Sequence, residues 1–226
     1  MNTKELKSLS LQVARLFAKE VEYLERSKGR FIKDYDVYNR LFYLDTAITY
    51  GAGEMALNIG IEIPAIEKLL NLVPGLEKRG SLTFGGPVFR FADLTEANLH
   101  DFVIKVNSLE CRERAFIQLR DIWHQIAAVF FCRLSTSDGW LEDVNEFLRS
   151  GKTSSLRIPT LGRVCVVLMY ATKGKEQAEA ALRIFTQGTN GRRVQDLEQA
   201  SNLLRLITEQ PSILDELRKD ITQASK

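Results

Sequence analysis

Histidine and cysteine are scarce in this 226-residue chain, two and three respectively, and their shortage removes several chemistries at once. Cys111, Cys132 and Cys165 are odd in number, widely separated and set in apolar stretches, which argues against a disulfide framework. No C-x-x-C or H-x-x-x-H spacing exists to bind zinc. Cys–His catalysis would need His100 or His124; the first reads as a helix-surface residue and the second, inside an apolar stretch, as packed core. Long apolar runs are also missing. Ile122 to Cys132 and Val164 to Ala171 fall short of the ~20 residues that span a bilayer, which predicts no transmembrane segment. The start, Met-Asn-Thr-Lys-Glu, lacks the apolar block of a secretory signal, and no Asn-x-Ser/Thr acceptor occurs. A reducing cytoplasm is the expected compartment.

Gly151-Lys152-Thr153 resembles the end of a phosphate-binding loop, but the position five residues earlier is Glu146, where that loop needs glycine. Glu142 and Asp143 read as a solvated helix face rather than acid–base machinery, and no glycine-rich dinucleotide fingerprint follows a strand. The expectation is a binding protein, not an enzyme, with no cofactor and no metal.

What is present is helical periodicity. Leu6, Leu9, Val13, Leu16, Phe17 and Leu24 predict an amphipathic helix from Thr3 to about Ser27, and further helices are expected over Tyr35 to Tyr50 and Pro64 to Val73. Ser81 to Phe91 is the one extended segment, read as a hairpin turning at Gly85-Gly86. Thr95 is placed as the N-cap of a helix burying Leu99, Phe102, Val103 and Val106. Arg112 to Leu134 reads as the central core helix, with Ala115, Leu119, Ile122, Ile126, Ala127 and Phe130 inward. Helices then follow over Trp140 to Arg149, Thr160 to Ala171, Lys175 to Thr186 and Val194 to Thr208, and a short one after Pro211 turns Ile213, Leu214, Leu217 and Ile221 to one side. The expected fold is mainly α: a two-lobed helical protein with one short hairpin at about 81–91 and helical terminal arms. Its divisions are an N-terminal arm (1–28), an N-terminal lobe (29–135), a basic C-terminal lobe (136–209) and a C-terminal arm (210–226). Leu6, Leu9, Val13, Leu16 and Phe17 at one end, and Ile213, Leu214, Leu217 and Ile221 at the other, are candidates for docking on a neighbouring copy.

A net charge of +2 leaves any attraction for a polyanion to charge placement. Arg149, Lys152, Arg157, Arg163, Lys173 and Lys175 follow one another without an Asp or Glu between them, and Arg183, Arg192 and Arg193 come soon after. Tyr170 and Phe185 are interleaved, where a splayed base could stack, and Lys78, Arg79 and Arg90 around the hairpin could form an opposing wall. Together these residues read as a groove for single-stranded RNA.

Leu82-Thr83-Phe84-Gly85-Gly86 with Phe89, Tyr50-Gly51-Ala52-Gly53 with Leu57-Asn58, and Asn98-Leu99-His100 resemble short motifs of orthobunyavirus nucleoproteins, over about residues 50–100. The chain departs from that family at Asp101, where the family has Arg, and in the order Asp138-Gly139-Trp140. The resemblance implies a protein that coats single-stranded genomic RNA in a basic cleft and forms homo-oligomers through terminal arms. It further implies a viral polymerase as a partner, and residence in the cytoplasm of an infected cell and in the virion interior. The competing expectation is a helical interaction, matrix or adaptor protein whose basic surface meets an acidic partner or anionic membrane.

Overall fold

The computed structural model describes residues 1–50, 52–73, 83–88, 91, 102–150, 161–187 and 194–225. Helix α1 (Thr3–Glu20) opens on a capping box: Asn2 Oδ1 accepts the Glu5 N–H at 2.9 Å and Glu5 Oε2 accepts the Asn2 N–H at 2.8 Å. It ends earlier than its periodicity predicts. Glu22 takes φ 60° and the chain turns into strands β1 (Leu24–Ser27) and β2 (Arg30–Asp34).

Two long strands follow, β3 (Asn39–Thr49) and β4 (Ala52–Glu62), then helix α2 (Pro64–Leu70), β5 (Phe84–Pro87) and β6 (Val103–Val106). The sheet runs β1-β2-β3-β4-β5, with β6 antiparallel to β4 from Gly53↔Val106 to Ala56↔Val103. The expectation of a mainly helical chain with a single hairpin is therefore wrong: the protein is mixed α/β with a six-stranded sheet. Tyr35 to Tyr50 is not helical because its aromatic and β-branched residues favour the extended β3, which buries the adjacent Leu41 and Phe42, both at 0% exposure, on opposite faces and leaves most of its far half exposed. Gly85 is not at a hairpin turn. It lies inside β5 with φ 142°, and a Cβ there would collide with the Ile59 carbonyl of β4. The helix expected to bury Phe102, Val103 and Val106 is replaced by β6, which buries Ile104 and Val106.

Helix α3 (Arg112–Ile122) passes through one π turn (Trp123–Ala127) into α4 (Ala128–Arg133). All six residues expected to face inward along this stretch are buried, and the π turn admits Trp123 and Phe131 to the same face. The remaining helices are α5 (Ser137–Ser150), α6 (Leu161–Lys173), α7 (Lys175–Gln187), α8 (Val194–Glu209) and, after one 3-10 turn, α9 (Asp215–Ala224).

The chain divides into two units. Unit 1 comprises residues 1–61 and 85–133, and unit 2 comprises residues 62–84 and 134–226. In unit 1, α1 lies against β3 and α3, and Phe17 makes edge contacts with Phe42 at 5.7 Å and Trp123 at 5.2 Å. The Arg40 guanidinium stacks over the Tyr35 ring at 4.6 Å and the Phe131 ring at 5.3 Å. In unit 2, α2 packs with α6 and α9. Because Ile63 has no side chain to cap α2, the buried Thr83 hydroxyl takes its N–H at 3.0 Å and donates to Glu67 Oε1 at 2.9 Å.

Candidate functional site

The basic run of the sequence maps onto α5, α6 and α7, and the packing of those helices decides where its charges go. Gly162 sits against the Phe185 ring so closely that a Cβ would lie 2.6 Å from it, which brings the start of α6 to the end of α7. Phe147 of α5 lies 6.4 Å from Phe185. Asp196, in the first turn of α8, accepts the Gly162 N–H at 2.9 Å and the Arg163 Nε at 3.0 Å. The C-terminal ends of α5 and α7 and the N-terminal ends of α6 and α8 thus converge. The buried Asp196 carboxylate also sits where the α6 and α8 dipoles favour negative charge.

Arg149 and Arg183 are exposed beside this convergence. Lys173 and Lys175 are exposed at the other end of α6, where Gly174 (φ 87°) links α6 to α7. Arg183 lies eight residues along α7 from Lys175, roughly 12 Å, and the length of α6 separates its two ends by roughly 20 Å. The shorter of these already exceeds the ~8 Å Debye length at physiological salt. The run that is continuous in sequence is split in space, and Lys175 is partly engaged by Glu179 at 3.7 Å.

Three expected contacts need correction. Arg163 is 1% exposed and bound to Asp196, so it braces α6 against α8 instead of meeting phosphate. Tyr170 and Phe185 are buried, because the apolar periodicity of α6 and α7 turns them inward, and neither ring offers a face to a base. Lys78, Arg79, Arg90, Lys152, Arg157, Arg192 and Arg193 lie outside the described residues. Of the terminal docking candidates, Leu6, Leu9, Val13 and Phe17 are buried within unit 1 and Leu16 is 44% exposed. Leu214 and Leu217 are buried within unit 2, while Ile213 and Ile221 are half-buried.

His124, expected in the core, is exposed: the π turn rotates it outward while Trp123 and Ile126 go in. Asp143 is buried, whereas its neighbour Glu142 is exposed. Cys165 is fully buried and its thiol pKa is pushed well up, by burial first and then by Asp196. Cys111 is half-exposed at the start of α3, and hydrogen bonds from the Asn107 and Ser108 backbone and the Ser108 side chain lower its pKa. Among the described residues, no cluster of His, Cys, Asp or Glu could hold a metal ion, and no helix is long and apolar enough to cross a membrane.

Sequence reasoning missed one site entirely, a cavity of about 470 Å³ in unit 1 lined by Lys7, Ser10, Leu11 and Ala14 of α1, Lys28 and Gly29 of the β1–β2 turn, and Leu44, Asp45 and Thr46 of β3. The spacing 7, 10, 11, 14 marks one face of α1. Reading β3 as a helix hides the opposite wall.

No family model, curated protein or solved structure matches the chain.

Proposed function

We propose that this chain is a nucleoprotein that holds single-stranded RNA by its phosphates at the end of unit 2 where α5, α6, α7 and α8 converge. The observation that carries the reading is the exposure of Arg149 and Arg183 beside that convergence. By sequence, Lys152 and Arg157 follow α5 and Arg192 and Arg193 precede α8, and in this reading they add to the same set of phosphate contacts. Phosphate contacts of this kind ignore base identity, as an RNA-coating protein requires. In this reading the chain self-associates along RNA in the infected cytoplasm and the virion, and presents the template to a viral polymerase.

A second reading, an interaction protein whose basic surface meets an acidic partner, is favoured by one specific observation. The described aromatic residues of unit 2, Phe84, Trp140, Phe147, Tyr170 and Phe185, are all buried and leave no stacking platform.

Titration of a fluorescent oligo-uridylate at several salt concentrations separates the two. Arg149→Gln with Arg183→Gln is expected to flatten the dependence of log affinity on log salt by about 0.7 for each phosphate no longer neutralised. Lys173→Gln with Lys175→Gln, at the other end of α6, is expected to change it much less. Equal effects from both pairs, or tighter binding of poly-glutamate than of RNA, would overturn the nucleoprotein reading.

A further inference from the structure

The cavity in unit 1 is a notch in the sheet. Strand β2 pairs with β3 only from Asp34↔Asn39 to Arg30↔Tyr43, whereas β3 continues to Thr49. Residues 44–49 therefore have no neighbouring strand on the β2 side among the described residues. Their backbone groups form an open ladder edge, which is a template for an added strand. Phe42 packs on Phe17 of α1, so alternation turns Leu44, Thr46 and Ile48 toward the α1 side of the sheet.

The walls are chemically specific. Leu11, Ala14 and Leu44 supply apolar surface, and Ile48 is 42% exposed further along the strand. Lys7 and Lys28 stand at the notch without a salt bridge among the described residues, Lys28 within electrostatic reach of Glu25. Ser10, only 4% exposed, also lines the cavity. The turn carrying Lys28 is held in place: Glu25 accepts the Gly29 N–H at 3.0 Å and Arg15 Nε at 2.7 Å, which ties the turn to α1. Gly29 itself takes φ 80°.

We propose that this notch takes an extended acidic peptide of another protein, which adds as a strand to residues 44–49 of β3 and sets a carboxylate between Lys7 and Lys28 near the Ser10 hydroxyl. An open backbone edge demands donors and acceptors in alternation, which a peptide has and a phosphodiester lacks. The two ammonium groups outnumber the one lining carboxylate, Asp45, which accepts a hydrogen bond from Asn58 Nδ2 at 3.0 Å, and so favour an acidic partner. The cavity volume lies within the ~300–1,000 Å³ of small-ligand sites and accommodates the side chains that alternate inward from such a strand.

The test pans the full chain against an array of random octapeptides with free C-terminal carboxylates, then measures the best binders by fluorescence anisotropy and by hydrogen exchange. The expected hits are rich in Asp, Glu and β-branched residues, and they slow exchange of the amides in residues 44–49. Lys7→Gln and Lys28→Gln, both exposed and harmless to folding, should each weaken binding about threefold to fivefold. N-methylation of alternate peptide amides should abolish it. Hits without acidic enrichment, N-methylated peptides that bind unchanged, or protection elsewhere in the chain would overturn the proposal. Inorganic phosphate or oligo-uridylate occupying the notch with the same lysine dependence and comparable affinity would also overturn it, leaving an anion site in place of a strand site.

Discussion

Arg163 and Asp196 show how a charge can be spent inside a protein. The guanidinium and carboxylate are 1% and 7% exposed, and the same carboxylate satisfies the Gly162 N–H at the start of α6. Removing one partner strands the other in a low-dielectric interior, so Asp196→Ala is expected to cost on the order of 3–5 kcal/mol in urea unfolding. An Arg163→Met, Asp196→Leu double variant should recover much of that loss. A second outcome concerns the thiols. With Cys132 exposed, Cys111 half-exposed and Cys165 buried, Ellman's reagent should titrate two groups in the native chain and the third only after denaturation. Cys111 should react at a pH where an ordinary thiol is still protonated, because its hydrogen bonds stabilise the thiolate. Nothing in a one-dimensional charge pattern distinguishes Arg163 from Arg149; only the arrival of Asp196, thirty-three positions later, separates a brace from a surface charge.

At the scale of elements, close backbone approach explains a glycine that the sequence presents as punctuation. Gly85 combines a positive φ with contact against the Ile59 carbonyl, so Gly85→Ala is expected to lower stability by at least about 1–3 kcal/mol and shift the urea midpoint accordingly. A Gly-Gly pair between apolar residues predicts a hairpin on local grounds; here the requirement is non-local, set by β4. The helices from α3 onward were legible because they are apolar at helical spacing, or in α6 apolar all round, and have clear breaks at Ser137, Gly174 and Pro211. The strands were not. β3 and β4 bury residues on both faces, Leu41 with Phe42 and Leu57 with Asn58, which erases the alternation by which a half-buried strand is recognised. The notch between α1 and β3 was lost with them.

For the whole molecule, the decisive fact is that neither unit is a continuous stretch of sequence. Division near residue 135 would give unit 1 all of its residues but would strip unit 2 of α2, whose Ala65, Ile66, Leu69 and Leu70 are buried. A fragment of residues 134–226 is therefore expected to melt without cooperativity by circular dichroism and to aggregate, because its α6 and α9 surfaces lose the helix that covers them. Grafting residues 62–84 onto its N-terminus through a flexible linker should restore a sigmoidal melt.

The interleaving also sets a timetable on the ribosome. Helix α2 is synthesised about 90 residues before the first of its partners, α6, and longer before α9. At roughly 5–20 residues per second its apolar side waits on the order of ten seconds for cover. A nascent chain must shield that greasy surface from other polysomes throughout the interval, so slow codons or a trigger-type chaperone acting between residues 70 and 160 would govern how much usable protein each message yields.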